Sequence, residues 1–258
     1  MSEIHATAVI DPEARLGEGV RVGPYAVIGG DVEIGAGTTI GPHAVIHSHV
    51  RLGEGNAIHA HAVLGDLPQD VAFGGEPTRL EIGDRNILRE NVTVHRASKP
   101  DRLTRVGSDC FLMAGAHVAH DCQVGDGVIL TNNVLLAGVV TVGDGANLGG
   151  AAVVHQFCRI GELAMVGGFG GVAQDVLPYA MVHGIPACHF RLNTIGLRRA
   201  GIKGERYGAL ETAFRTLRAG DRKLTGSPDT PEVCHLREWL AAPSKRGIAA
   251  WTRPRSGR

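Results

Sequence analysis

Aliphatic side chains recur at every sixth residue from the N-terminus to about residue 172. Stepping by six from Ile4 gives 29 positions, of which 26 are Ile, Leu or Val; these residue types fill 62 of the 258 positions in the chain, so chance predicts about 7. The three exceptions are Asp70, Glu76 and Pro100. A period of six fits neither an α-helix nor an alternating strand, and is typical of a parallel β-helix of hexapeptide repeats.

Small residues mark a second position of the repeat, four places after each aliphatic, as at Ala26 and Ala44. Cys110, Cys122 and Cys158 occupy the same position, and we interpret them as core residues. Glycine often follows the aliphatic directly, which we attribute to corners that need a positive φ. Three hexads make one triangular coil of 18 residues, and coils stack about 4.8 Å apart. The predicted fold is therefore mainly β, a left-handed parallel β-helix.

Two stretches near residues 65–81 and 97–105 interrupt the period, and we expect them to leave the coil as excursion loops. The hexads stop after about residue 186. We therefore assign residues 1–187 to the β-helix and residues 188–258 to a helical C-terminal domain.

Within the C-terminal domain, composition favours one helix over residues 197–224 and another over 231–242. Residues 244–258 look like a basic tail, for which we expect disorder. Residues 191–258 hold 15 Lys or Arg and 6 Asp or Glu, whereas residues 1–190 hold 11 and 20. The neutral total of 26 and 26 therefore combines an acidic body with a basic C-terminal region.

Composition excludes several classes of protein. Apolar residues make up 43% of the chain and there is no net charge, which argues against intrinsic disorder. No run of about 18 apolar residues exists, so no membrane span is predicted. The first residues lack the basic and apolar stretches of a secretory signal, and the five cysteines form no CxxC pair. We expect a reducing, cytoplasmic location and no disulfide framework.

The 18-residue register places a group of polar residues on one corner of the predicted prism. His120 lies two places after Val118, and residues 18 and 36 places further on should stack above it. The group consists of His117, His120, Asp121, Gly138, His155 and Gln156. A histidine beside a carboxylate can act as a general base near neutral pH. Zinc binding through His117 and His120 is an alternative, as in the hexapeptide carbonic anhydrases, although the His-x2-His spacing differs from the His-x4-His of that family.

Several strings of residues identify a family. They are Gln69-Asp70, Gly75-Glu76-Pro77-Thr78, Ile82-Gly83-Asp84-Arg85-Asn86, Ala119-His120-Asp121-Cys122, Leu136-Ala137-Gly138, Val154-His155-Gln156-Phe157-Cys158 and Gly171-Val172-Ala173-Gln174-Asp175-Val176. With them, residues 4–205 resemble the bacterial UDP-N-acetylglucosamine O-acyltransferases, which catalyse the first step of lipid A biosynthesis. The related N-acyltransferases resemble this chain less, because they carry an N-terminal uridine-binding domain and the hexads here begin at Ile4.

The resemblance implies transfer of a 3-hydroxyacyl chain from acyl carrier protein to the 3-hydroxyl of UDP-N-acetylglucosamine. It implies that His120 is the base, that Asp121 orients it, and that the Gly138 N–H stabilises the oxyanion. The positions implied to contact substrate are Gln69, Asp70, His117, His155, Gln156, Gly168, Asn193 and Arg199. Gly168 matches a position that limits acyl length, so an open groove and a longer chain are expected.

The resemblance also implies a homotrimer with active sites between subunits, and no cofactor or metal. The acidic acyl carrier protein is the expected partner of the basic C-terminal region. Nucleic acid is disfavoured because few aromatic residues lie among these basic residues. The chain departs from the family at Ala72, Val139 and Ile195, where polar residues are usual. These departures leave open an altered acceptor such as a 3-amino sugar nucleotide, or a hexapeptide trimer with little activity.

Overall fold

The computed structural model describes residues 3–252, and the body of the protein is a triangular prism of three parallel sheets, here called faces A, B and C. Face A contains Glu3–Ile4, Arg21–Val22, Thr39–Ile40, Ala57–Ile58, Ile87–Leu88, Phe111–Leu112, Ile129–Leu130, Asn147–Leu148, Met165–Val166, Ala180–His183 and Cys188–Leu192. Face B contains Val9–Ile10, Val27–Ile28, Val45–Ile46, Val63–Asp66, Thr93–His95, His117–Val118, Leu135–Leu136, Val153–Val154 and Gly171–Val172. Face C contains Arg15–Leu16, Glu33–Ile34, Val50–Leu52, Arg79–Ile82, Leu103–Val106, Gln123–Val124, Thr141–Val142 and Arg159–Ile160.

The second residue of nearly every two-residue strand points into the prism. Leu112, Leu130 and Leu148 stack in register on face A, and each is fully buried. These residues belong to the six-residue series, so the series marks the core. The predicted fold class, a parallel β-helix of hexapeptide repeats, is confirmed.

The glycine that follows an aliphatic residue is required for a different reason from the predicted one. Except for Gly65, with φ 80°, these glycines do not have positive φ. A Cβ on Gly35 would lie 2.5 Å from the carbonyl carbon of Gly53 in the next coil. Positive φ instead occurs three places after the aliphatic, as at Asp121, Asn133 and Val139. The glycines are therefore needed for close stacking of coils.

Both excursions leave the prism where the period fails. Residues 67–78 connect face B to face C, and residues 96–102 connect the next pair of strands on the same two faces. Both start from the corner at which face B ends. The second excursion is the shorter one, and it folds back over the corner that holds His120.

The C-terminal region begins with an antiparallel hairpin, Ala180–His183 with Cys188–Leu192, which crosses the predicted domain boundary at residue 187. Helices α1 (Thr194–Arg199), α2 (Glu205–Arg218) and α3 (Pro231–Ala241) follow. One helix over 197–224 is therefore wrong: Gly201 and Gly204, both with positive φ, separate α1 from α2. The Thr230 side chain caps α3, with Pro231 as its first residue.

Disorder of the basic tail is wrong for residues 244–252. Gly247 accepts a hydrogen bond from the Asp175 backbone at 2.7 Å, and Thr252 donates one to His189 at 2.8 Å. The His189 ring is buried between the Leu177 N–H and the Ala249 carbonyl. The segment is ordered because its backbone groups form hydrogen bonds with the last coil of the prism and with the hairpin strand that contains His189. Residues 253–258 lie outside the described part of the chain.

The outer surfaces of the three faces differ in chemistry. Face C carries alternating charges, with Glu33 between Arg15 and Arg51. Faces A and B carry apolar side chains on their outer surfaces, among them Val27, Ile87, Phe111, Ile129, Leu135 and Val153. Leu135 and Val153 remain 45% and 46% exposed. The outer surfaces of faces A and B are therefore more apolar than that of face C.

Candidate active site

His120 and Asp121 lie at the corner where face B turns into face C. The Nδ1 atom of His120 is 2.8 Å from Oδ2 of Asp121. Because a carboxylate only accepts, Nδ1 must carry the proton, and Nε2 is left as the unprotonated nitrogen of a neutral ring. The His120 side chain is 13% exposed. The geometry is that of a base oriented by a buried acid.

Asp121 is fixed by groups from the second excursion. Its carboxylate accepts hydrogen bonds from the Ser98 N–H at 2.9 Å and the Ser98 hydroxyl at 2.7 Å, and Arg102 lies 3.2 Å away. Its own N–H donates to the Thr104 hydroxyl at 2.7 Å. Burial acts to raise the pKa of Asp121, but the hydrogen bonds from Ser98 and His120 outweigh it, and the net pKa is lowered. Asp121 is therefore ionised when His120 is neutral.

Gly138 stacks one coil above His120, as the register predicts. The Val139 N–H donates to the His120 carbonyl at 3.0 Å. A Cβ on Gly138 would lie 2.6 Å from both Cε1 and Nε2 of His120, so no other residue fits here without moving the ring. Among residues 3–252 the Gly138 N–H has no hydrogen-bond acceptor.

Several N–H groups at a different corner of the prism are capped by side chains of the next coil. Where face C turns into face A, the Glu54 N–H donates to the Asp84 carboxylate at 2.8 Å, and the Ser108 and Asp126 N–H groups donate to carboxylates one coil above at 2.7 and 2.9 Å. The coil above Gly138 presents Gln156, whose side chain is exposed and makes no such bond in the described chain. The Gly138 donor next to His120 is thus available to an anion.

His117 lies on the outer surface of face B, three residues before His120 in the same coil. Its Nδ1 is 2.7 Å from the Thr93 hydroxyl, and its ring meets the His95 ring edge-on at 4.8 Å. Burial, with the neighbouring His95 and His120, lowers the pKa of His117 to about 4. His117 is therefore a neutral hydrogen-bonding group near pH 7.

The remaining predicted substrate positions are distributed over several parts of the surface. His155 and Gln156 are exposed two coils above His120. Gln69 and Asp70 lie on the first excursion, where the Asp70 carboxylate accepts from the Ala72 N–H at 3.0 Å. Within residues 3–252, neither Gln69 nor Asp70 forms a hydrogen bond or ion pair with His120.

Asn193 and Arg199 line a groove of about 490 Å³ beside face A, together with Met165, Met181 and Ile195. The Asn193 side chain caps α1 by accepting from the Gly196 N–H at 3.1 Å. Gly168 is exposed at the corner between faces A and B, and a Cβ there would lie 3.4 Å from the Gly150 carbonyl, an ordinary contact. These positions are on another side of the prism from His120.

The three departures from the family have different settings. Ala72 is exposed on the first excursion, and Ile195 is 51% exposed at the face A groove. Val139 has φ 62°, and no other β-branched residue in the described chain has a positive φ. This conformation is costly for valine, so the strain adjoins the His120–Gly138 pair.

Sequence reasoning missed the residues that hold the site together. Ser98, Arg102 and Thr104 all bind Asp121, and Thr93 binds His117. The signal available was the interruption of the period at 97–105, since a loop on a rigid scaffold often carries function. Among the described residues, no group of three His, Cys, Asp or Glu side chains is placed to hold a metal ion. No helix in residues 3–252 has the length and apolar character to cross a membrane.

The fold and the His–Asp pair define a class, the hexapeptide-repeat transferases. The model of bacterial transferase hexapeptides (six repeats) matches residues 13–48, 31–66 and 103–138. The model of domain 2 of UDP-N-acetylglucosamine O-acyltransferase matches residues 175–249.

Full-length relatives agree with both matches. The acyl-(acyl-carrier-protein)–UDP-N-acetylglucosamine O-acyltransferase of Alkalilimnicola ehrlichii is 52% identical, with 96% of this chain and 99% of the relative covered. The enzyme of the same name from Thiobacillus denitrificans is 49% identical, with the same coverage. The crystal structure of UDP-N-acetylglucosamine O-acyltransferase from Moraxella catarrhalis has a TM-score of 0.91 and 40% identity, and covers 95% of this chain and 99% of its own. The chain belongs to the UDP-N-acetylglucosamine O-acyltransferase family.

Proposed function

We propose that this protein transfers a 3-hydroxyacyl chain from acyl carrier protein to the 3-hydroxyl of UDP-N-acetylglucosamine, with His120 as the general base. The observation that carries the proposal is the pair formed by the neutral Nε2 of His120 and the uncapped N–H of Gly138 in the next coil. A base and an oxyanion donor on the same side of one reacting carbon are what acyl transfer to an alcohol requires.

The reaction proceeds by attack of the sugar oxygen on the thioester carbonyl. Nε2 of His120 takes the hydroxyl proton as the C–O bond forms, and Asp121 stabilises the resulting imidazolium through Nδ1–H. The carbonyl oxygen, now negative, accepts a hydrogen bond from Gly138. Collapse of the tetrahedral intermediate breaks the C–S bond, and His120 returns its proton to the departing thiolate. General-base catalysis supplies typically ~10²–10⁴-fold, and one oxyanion donor ~10²–10³-fold.

We propose further that three copies assemble with active sites between them. Faces A and B of a single chain expose apolar stripes, whereas face C is charged, and large exposed apolar patches mark interfaces. Face A of one copy against face B of the next is a head-to-tail contact, which closes into a ring when the rotation fits. Such a contact brings the Asn193 groove beside face A toward the His120 corner of another copy. Light scattering of the purified chain should give three times its mass.

The charge of the C-terminal region supports acyl carrier protein as the acyl donor. The exposed basic residues of the C-terminal region suit the acidic carrier protein; among them are Arg198, Arg199, Lys203, Arg215, Arg218, Arg222 and Lys223. Arg206 is instead paired with Glu232. The five cysteines are unpaired, which supports a cytoplasmic location.

The test is mass spectrometry of the protein with 3-hydroxyacyl carrier proteins of several chain lengths. UDP-N-acetylglucosamine and its 3-amino analogue are offered in separate reactions, beside His120→Ala and the matched control His5→Ala. We expect an O-acylated product from wild type and His5→Ala and none from His120→Ala. A product with the amino acceptor alone would overturn the acceptor assignment, and no product with either would overturn the activity.

A further inference from the structure

The basic tail brings a lysine to the ridge above His120. Residues 244–252 return from the end of α3 to the top of the prism, and the Lys245 ammonium lies over the Phe157 ring, 4.5 Å from its centroid. Phe157 follows Gln156 on the corner that also holds Gly138 and His120. Two coil spacings separate Gln156 from His120, so the ring that Lys245 covers lies about 10 Å along the ridge from His120.

The backbone on either side of Lys245 is fixed. The Ser244 hydroxyl accepts from the Gly247 N–H at 2.8 Å, and the Arg246 side chain donates to the Ala173 carbonyl at 3.1 Å. The Gly247 carbonyl accepts from the Asp175 N–H. Lys245 is therefore held at this corner by contacts that do not involve its own charge.

The Lys245 charge has no carboxylate partner among the described residues. Cations nearby are engaged otherwise: Arg159 pairs with the buried Asp175 at 2.7 Å and stacks on Trp239. The Lys245 ammonium instead contacts the ring face of Phe157, which fixes its direction without neutralising its charge. An unpaired ammonium beside exposed His155 and Gln156 suits an anionic ligand.

We infer that Lys245 is a substrate-positioning residue that binds a phosphate group of a substrate whose reacting atoms lie at His120. The inference rests on the proposed function. Both proposed substrates carry phosphate at a distance from the reacting centre: the sugar nucleotide has a diphosphate, and the pantetheine arm of the carrier protein is attached through a phosphodiester. A compact ammonium binds either group as a point charge.

The experiment measures KM for each substrate in turn, with the other saturating, in the full-length protein. Lys245→Met keeps an unbranched chain over Phe157 and removes the charge, and Lys245→Arg keeps the charge. The matched control is Arg15→Met, which removes one positive charge from the N-terminal end of face C. We expect Lys245→Met to raise one KM about tenfold, about 1.4 kcal/mol, with kcat within twofold of wild type.

Lys245→Arg should stay within about threefold of wild type, and added salt should shrink the Met effect because the contact is exposed. A rise in KM for UDP-N-acetylglucosamine assigns the diphosphate, and a rise for the carrier protein assigns the phosphodiester. Both KM values unchanged in Lys245→Met, or a lower thermal midpoint as the sole effect, would overturn the inference. Wild type without His120-dependent activity would instead overturn the proposed function, and this inference with it.

Discussion

Replacement of Gly138 by alanine tests the arrangement on which the proposed mechanism depends. The added Cβ would lie 2.6 Å from Cε1 and Nε2 of His120, and ordinary carbon contacts begin at 3.4 Å. The ring must therefore retreat by about 0.8 Å, the difference between these two distances. The backbone N–H of residue 138 remains, so the variant chiefly displaces the His120 ring.

A displacement of this size is large for proton transfer. Misplacing a reacting group by about 1 Å costs on the order of 10²-fold in rate. We therefore expect Gly138→Ala to lower kcat about 100-fold while KM for UDP-N-acetylglucosamine changes little, since the sugar contacts are elsewhere.

The assay is the steady-state rate of acylated sugar nucleotide formation, with thermal unfolding measured in parallel. Gly30→Ala is the matched control, because Gly30 occupies the same corner near the N-terminus and a Cβ there meets only side-chain atoms of Asp11 and Glu13, at 3.3 Å. A Gly138→Ala enzyme with kcat within threefold of wild type would refute the assignment of His120 as the base at this position. So would an equal loss in Gly30→Ala.

Three further predictions concern the same region and the tail. Asp121→Asn should lower kcat at least 100-fold, because a neutral amide stabilises the imidazolium poorly; steady-state rates check this, and a loss under tenfold would contradict it. Val139→Asn should raise the free energy of unfolding by about 1 kcal/mol, since asparagine tolerates the left-handed region and Asn133 adopts it at another corner. Urea unfolding measures this change, and a lower free energy of unfolding in the variant would contradict it. Burial lowers the pKa of His189 to about 4 in the folded protein. Below pH 6.5, the ordinary pKa of histidine, the His189 ring of the unfolded chain therefore binds a proton that the folded ring excludes. Stability should thus fall between pH 6.5 and 4, by about 3 kcal/mol at the lower end at 1.36 kcal/mol per pKa unit. Urea unfolding of wild type and His189→Gln at several pH values measures this, and equal slopes in the two would count against it.

The ridge of polar residues could be predicted because each coil of this fold contains a constant number of residues, so positions one coil length apart stack on each other. His120, Gly138 and Gln156 are 18 residues apart, and the structure stacks them as expected. The role of glycine could not be read in the same way. Gly35 meets Gly53 in the next coil, and a period in the sequence does not reveal whether a glycine is needed for its backbone conformation or for close approach.

The C-terminal region was predicted less well. Composition predicted α3 with an end one residue from the observed one. The break between helices at Gly201 and Gly204 and the hairpin over residues 180–192 were not predicted. The disorder expected of residues 244–252 was wrong, because their backbone groups find partners on Asp175 and His189, some 60 to 70 residues earlier. Basic composition carries no signal of such pairing.

The sequence alone determined the architecture and the positions of His120 and of Gly138 above it, because each coil repeats one local pattern that needs only its neighbours at 18 residues. The tertiary structure decided what makes these groups usable. Ser98 and Arg102 reach Asp121 from a loop outside the period, and the tail sets Lys245 on Phe157. The absence of an acceptor for the Gly138 N–H among residues 3–252 became visible only with side chains in position. These contacts join segments whose separations follow no period, so loop closure and the packing of the folded chain establish them.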